Sequence, residues 1–333
     1  MLFLNNALSK LIPSFHSVDE WMVIYEELLH MKDIKDKTIA NRLNNCRKVR
    51  EAFGQRSLRS ITPTEITRYI SNKYLTSPHE ARRLLIEIKE IFREAVNHGW
   101  MTTDPSLNIK QRRVPVKRSR LSFEVYSKML DASPDNSSIR GLLLLALSTG
   151  QRRGDLVKMK FSDVWEEVDG EKYLHVCQEK TGKLLAIPLS LKLSCLGLNL
   201  NQIILYCKHY TKVSPDSFLL RKTTDEPYCA TYLSISFETL RDSVVTRESF
   251  DGTPPSLHKC RSLSARCYDA EGFTQVQALL GHSSLTMTEM YKNDRGLDKR
   301  DKNWKKVCTF KNTVTSSLKI PKLHTIAKTN QGS

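Results

Sequence analysis

Four short stretches in the second half of this 333-residue chain carry side chains suited to chemistry on a phosphate. The first is Thr149-Gly150-Gln151-Arg152-Arg153-Gly154-Asp155-Leu156, at the end of an apolar run; the second is Glu179-Lys180-Thr181-Gly182. The third is His258-Lys259-Cys260-Arg261, and the fourth is Leu280-Gly281-His282, followed nine residues later by Tyr291. Taken singly, each has an ordinary explanation. A His-x-x-Arg arises by chance about half the time in a basic chain with nine histidines. Tyr291 alone would be packing, Gly281 a helix cap, Arg152 an ion-pair partner of Asp155, and Lys180 a solvated turn residue. Taken as an ordered set, they point to transfer of a DNA phosphoryl group onto a tyrosine. Such a transition state needs cationic, hydrogen-bonding groups around the nonbridging oxygens, and a guanidinium offers phosphate a planar donor fork. Tyr291 is the nucleophile in this scheme; its phenol, with an ordinary pKa of about 10, needs a base or a strong positive field. His258 and Arg261, three apart on a helix, address one phosphate from one face. His282 donates to the phosphate or takes the tyrosine proton, and Lys180 protonates the departing 5′ oxygen.

The elements that must hold these groups are legible around them. Ahead of Arg152, Ser122–Ala132 and Ser138–Ser148 read as helices, the second holding the apolar run Leu142–Leu147. Val164–Val168, Tyr173–Cys177 and Lys183–Leu189 alternate like strands, joined by Asp169-Gly170 and Thr181-Gly182 turns, which places Lys180 on a hairpin tip. Beyond Pro254-Pro255, helices are expected from Ser256 to Ala270, after Thr274 and after Ser283-Ser284. The first hundred residues read as a four-helix unit. Ser17 with Glu20, Thr62 with Glu65 and Ser77 with Glu80 match the capping box, and Pro63 and Pro78 fall at first helical positions. Trp21, Ile24, Tyr25, Leu28 and Leu29 form one apolar stripe, Ile39, Leu43, Cys46, Val49 and Phe53 a second, and Leu84, Leu85, Ile88, Ile91, Phe92 and Val96 a third. Arg42, Arg47, Lys48 and Arg50 on the second helix fit equally a solvated face or one turned to DNA.

With 52 Lys+Arg against 36 Asp+Glu the formal charge is +16, and 40% hydrophobic with 26% charged residues is the composition of folded protein. Six of those positive charges, Lys110, Arg112, Arg113, Lys117, Arg118 and Arg120, stand in KQRRVPVKRSR without an acid. That stretch is expected to be an extended linker tracking a phosphate backbone. The segment 297–333 carries another +7, which leaves the two folded regions nearly balanced at +3. No apolar run approaches the ~18 residues of a membrane span, and MLFLNNALSK lacks the basic start and apolar run of a secretion signal. Eight scattered cysteines without a C-x-x-C pair argue against zinc ribbons and for reduced, structural thiols. Export, membrane insertion and a disulfide scaffold are excluded on these grounds.

The set Arg152, Lys180, His258, Arg261, His282 and Tyr291 resembles the catalytic constellation of the tyrosine recombinases. TGQRRGDL, EKTGKLLAIP, HKCRSLSARCYDAEG and QALLGHSSLTMTEMYKNDRG are closer still to phage integrases of the lambda type, and the similarity spans residues 15 to 296. It implies a mainly α chain with a small antiparallel sheet: a helical core-binding domain plus a mixed α/β catalytic domain, forming a C-shaped clamp on DNA. Its boundaries would be a lead at 1–14 too short for an arm-binding domain, the helical domain at 15–108, a basic linker at 109–120, the catalytic domain at 121–296, and a basic tail at 297–333. Asp155 would support Arg152. The implied activity is site-specific recombination through a 3′-phosphotyrosine and a Holliday junction, in the bacterial host's cytoplasm. It needs no ATP, metal or cofactor. The partners implied are double-stranded DNA attachment sites and three further copies in a synaptic tetramer, with room for a host DNA-bending protein and an excisionase. Two rivals remain at this point. One is a type IB topoisomerase, which keeps the chemistry without strand exchange; the other is a catalytically silent DNA-binding regulator on the same scaffold.

Overall fold

The computed structural model describes residues 16–114, 118–208 and 214–293. The chain divides between Val116 and Lys117 into two compact units.

The first unit is four helices: α1 (Val18–Met31), α2 (Asp36–Phe53), α3 (Pro63–Thr76) and α4 (Pro78–Asn97). Local chemistry sets their starts. At α1, Ser17 accepts from the Glu20 amide while Glu20 reaches back to the Ser17 amide, and Thr62 with Glu65 does the same at α3. Each such cap is worth about 1 kcal/mol. The third expected box does not form. Ser77 is shared between the end of α3 and the start of α4, its amide bonds Lys73, and its side chain makes no cap bond. Glu80, the acid meant to reach back, instead receives Lys48 of α2 at 2.5 Å. The apolar stripes meet in one core around Trp21, Tyr25, Phe53, Leu84, Ile88 and Phe92, with the Trp21 indole N–H donating to the Ile91 carbonyl at 3.1 Å.

The basic residues of α2 are met by acids, three of them half-buried and Arg47 exposed. Arg42 donates to the buried Glu87 of α4 at 3.0 Å, Arg50 faces Glu26 of α1 at 3.5 Å, and Arg47 pairs with Glu51 on its own helix. Arg42 and Arg50 tie α2 to its neighbours, whereas Arg47 pairs only within α2.

The second unit begins with α5 (Phe123–Ala132) and α6 (Ser138–Thr149). In α6 every residue from Gly141 to Thr149 is buried, as expected of a helix apolar on all sides. After the short α7 (Arg153–Leu156) come β1 (Val164–Glu166), β2 (Lys172–Cys177) and β3 (Leu184–Pro188), an antiparallel sheet in the order β1-β2-β3. Gly170 and Gly182 sit in its two turns at φ of +78° and +68°, a region that favours glycine. The pairing runs one step past the strands into each turn, with the Glu167 amide donating to the Glu171 carbonyl and the Gln178 amide to the Lys183 carbonyl.

Next are a two-stranded hairpin, β4 (Lys192–Leu193) and β5 (Leu198–Asn199), then α8 (Leu200–Lys208) and α9 (Ala230–Val244). None of these four elements, nor α7, was expected from the sequence. The expected helices after Pro254-Pro255 are α10 (His258–Ala270), α11 (Val276–Leu280) and α12 (Leu285–Lys292). The expected mainly helical fold with a small antiparallel sheet is the fold observed.

The cationic stretch 110–120 is not one free strap. Gln111 donates to the Arg82 carbonyl, Arg112 to Ser71 while lying 5.4 Å from the Tyr74 ring centre, and the Tyr74 hydroxyl donates to the Arg113 carbonyl. Lys110, Gln111 and Arg112 line a groove along α3 and α4 of the first unit. At the other end, Arg118 and Ser119 bond the backbone at Pro254 and Thr253, and Arg120 donates to Ser262 and to the Met290 carbonyl. Lys117 lies outside the described residues. The described parts of this stretch take no helix or named strand, and each bonds the unit it adjoins.

Candidate active site

Five pieces of the second unit converge on one spot. α6 ends in the left-handed Gly150, where a Cβ would come within 2.8 Å of Leu280 and 2.9 Å of Ser264. The turn after it sets Arg152 at the start of α7, with the buried Asp155 in the same short helix. Asp155 Oδ1 accepts from the Glu179 amide at 2.9 Å, and Oδ2 lies 3.9 Å from Arg152 Nη1. Arg152 itself donates to the Gln178 side chain at 3.1 Å. Lys180 is exposed on the β2–β3 turn, near enough for its charge to be felt at His258.

The first turn of α10 supplies His258 and Arg261. Arg261 is 1% exposed; it donates to the Gly150 carbonyl at 2.7 Å and to the Leu280 carbonyl, stitching α6 and α11 together. Left-handed Gly281 ends α11 and turns the chain into His282, whose Nδ1 lies 3.0 Å from the Thr288 hydroxyl on α12. Ser284 caps α12, and this helix brings Tyr291 in: its hydroxyl is 3.1 Å from His258 Nε2, and its ring centre lies 4.8 Å from that of His282 and 5.6 Å from the Arg261 guanidinium. Arg152, His258, Arg261, His282 and Tyr291 are thus brought together, with Lys180 and Asp155 at the margin. Among the described residues of the stretch 110–120, Arg120 contributes here. It acts through structure: its guanidinium and Ser262, which donates to the Tyr291 carbonyl at 2.7 Å, hold the C-terminal end of α12.

The electrostatics are those of an anion site. Burial first, and then Arg261 and Arg152, pulls the His282 pKa down to about 4. The same causes, with Lys259 and Lys180, hold His258 at about 4, although one edge of its ring is exposed and water there screens part of the effect. Burial and Arg152 lower Arg261 to about 10. Both imidazoles are therefore neutral at neutral pH, so His258 can accept the proton of the phenol it touches. Arg261 Nε and His282 Nε2 are buried and have no hydrogen-bond partner among the described residues. Unpaired buried nitrogens in a cationic cluster are costly unless the site exists to receive an anion.

A family model described as the phage integrase family matches residues 119–296, and one described as the phage integrase central domain matches residues 18–112. The integrase of Escherichia phage lambda is 34% identical over 295 residues, covering 87% of this chain and 78% of that protein. The prophage integrase IntE of Escherichia coli is 32% identical, covering 90% of this chain and 78% of that one. This chain belongs to the phage integrase family. Among solved structures, a lambda integrase dimer bound to a COC′ core site matches with a TM-score of 0.78 at 31% identity, over 90% of this chain and 83% of that chain. A lambda integrase tetramer bound to a Holliday junction matches with a TM-score of 0.76 at 31% identity, over 89% and 81%. As a lambda-type tyrosine recombinase, the integrase is a site-specific recombinase that breaks and rejoins DNA strands. No described helix is long and apolar enough to cross a membrane.

Several residues of this site escaped sequence reasoning. Gln151, Gln178, Ser262 and Thr288 orient the cluster but belong to types too common to single out. The one available signal was position, since Gln151, Ser262 and Thr288 lie within the quoted motifs and Gln178 directly precedes one.

Proposed function

We propose that Tyr291 attacks the scissile phosphate of a duplex attachment site, with Arg152, Arg261 and His282 holding the nonbridging oxygens. The observation that carries this reading is the 3.1 Å contact between the Tyr291 hydroxyl and His258 Nε2 beside the buried Arg261 and the half-buried Arg152. His258 takes the phenolic proton as the oxygen–phosphorus bond forms. Lys180 gives its proton to the 5′ oxygen as the old phosphodiester bond breaks, leaving a 3′-phosphotyrosine and a free 5′ hydroxyl. That hydroxyl, presented to the partner duplex, attacks the partner's phosphotyrosine and releases its tyrosine. The covalent intermediate conserves the bond, so no ATP enters. Asp155 holds the Glu179 amide beside Lys180 and faces Arg152.

Four protomers act on two duplexes, in keeping with the tetramer and junction named for the lambda enzyme. The helical unit, residues 15–108, and the catalytic unit, residues 121–296, both engage the core site, in the cytoplasm of the bacterial host. Lys110 and Arg112, which line the groove on the helical unit, and the neighbouring Arg113 meet the phosphate backbone, and neutralising them weakens binding at every sequence and flattens its salt dependence. The decisive test is a nicked trap substrate. Native protein accumulates a covalent protein–DNA adduct and Tyr291→Phe gives none; an adduct with Tyr291→Phe would remove Tyr291 from the role.

A further inference from the structure

We propose that Gln178 is a positioning residue that sets the Lys180 turn against Arg152, so that clamping the phosphate and protonating the leaving oxygen occur in one geometry. The proposal rests on the roles given above to Arg152 and Lys180. Gln178 follows directly on β2 and is wholly buried. A side-chain amide has two acceptor and two donor positions, and here all four are used. Oε1 accepts from Arg152 Nη1 at 3.1 Å and from the Thr181 hydroxyl at 2.9 Å. Nε2 donates to Gln151 Oε1 at 2.8 Å and to the Leu280 carbonyl at 3.1 Å. Its backbone closes the turn that carries Lys180: the amide donates to the Lys183 carbonyl at 2.8 Å, and the carbonyl accepts from the Gly182 amide at 2.7 Å. One residue thus joins the guanidinium, the acid's turn, and the segment entering His282.

Two further observations fit this role. A Cβ on Gly281 would lie 2.8 Å from Gln178 Oε1 and 2.9 Å from Nε2, so the glycine before His282 makes room for this amide as well as ending α11. A carboxylate at position 178 would orient Arg152 too, but it would neutralise the charge that the phosphate needs. A neutral amide orients Arg152 and leaves its charge intact.

The test compares cleavage of an ordinary core-site substrate with one carrying sulfur in place of the bridging 5′ oxygen, whose thiolate leaves without an acid. Gln178→Met keeps the length and removes the hydrogen bonds. It should slow cleavage of the oxygen substrate about 10- to 100-fold, as loss of buried bonds to a charged group does, with DNA affinity unchanged. On the sulfur substrate most of that loss should return, as it should for Lys180→Ala. Thr181→Val, on an exposed turn that does not support the core, should show a smaller defect with the same return. It decides the matter if Gln178→Met fails to fold. An equal loss on both substrates, or native rates for Thr181→Val beside a misfolded Gln178→Met, would overturn the proposal. If Lys180→Ala shows no return on sulfur, the acid assignment itself falls and takes the proposal with it. That result is distinct from a failure confined to Gln178.

Discussion

The helical unit and the active site both bury cations, and they treat them in opposite ways. In the helical unit each has an acid: Lys32 sits between Glu90 and Glu94, Arg42 on Glu87, Lys48 on Glu80. Glu87 is 4% exposed and also accepts from the Tyr25 hydroxyl at 2.8 Å, so its charge is matched and its lone pairs are used. In the active site, among the described residues, the guanidiniums of Arg152 and Arg261 have one buried carboxylate near them, Asp155, 3.9 Å from Arg152, and the imidazoles of His258 and His282 stay neutral. There the protein lowers the pKa of two imidazoles and one guanidinium rather than supply counter-charges. Paired buried cations hold helices together, whereas a cluster of unpaired ones is a place where stability is given up for an anion.

Mutations should separate the two behaviours. The largest effect is expected from Arg261→Met, which removes the most buried charge of the cluster. Covalent adduct formation should slow ~10²–10³-fold, the loss typical of a donor aimed at developing negative charge. A native rate on the trap substrate would break the contrast at its centre. Next is Arg42→Ala, which strands Glu87. Urea unfolding of the full chain should show a loss of about 3 kcal/mol, while the surviving folded protein forms adduct at the native rate. An adduct defect without a stability loss would put Arg42 in the DNA-facing role instead.

The pH dependence is smaller and its sign is fixed. A histidine held below its ordinary pKa adds stability in full above 6.5 and loses it as the pH falls toward about 4, because the unfolded chain takes the proton first. Thermal midpoints should therefore drop across that window, and His282→Asn should flatten the drop. His258, exposed at one edge, contributes the lesser share. A slope untouched by His282→Asn would mean that its burial carries no such cost. The smallest effect is at Arg47, an exposed partner of Glu51. Arg47→Ala should shift stability by no more than about 0.5 kcal/mol, marking the floor against which Arg42 is judged.

What could be read beforehand follows the reach of each signal. Capping boxes act over three residues and apolar stripes over a few turns, so α1 to α6 and α10 to α12 were visible, as were both glycine turns of the sheet. The box at Ser77 was misread because its acid is drawn off by Lys48, 32 positions away in the chain. α9, ATYLSISFETLRDSV, mixes β-branched and aromatic residues whose spacing does not settle its type, and β4 and β5 are two residues each, too short to show a period. The basic residues of α2 and of 110–120 looked alike as charge. Only their partners distinguish a helix tie from a groove lining or from Arg120, which bonds a carbonyl 170 positions away.

The chain alone thus settles which residue types are present, in what order, and on which local elements, because those depend on neighbours within a few positions. It placed Arg152, Lys180, His258, Arg261, His282 and Tyr291 beside helix starts and turns, and named the chemistry that such a set performs. Tertiary packing decided that His258 meets the Tyr291 hydroxyl, that Arg261 is spent on the carbonyls of Gly150 and Leu280, and that Gln178 lies between the motifs. Those contacts join segments up to 111 positions apart. No local preference encodes them: they exist only where elements distant in the chain, each buried by its own apolar face, are packed side by side.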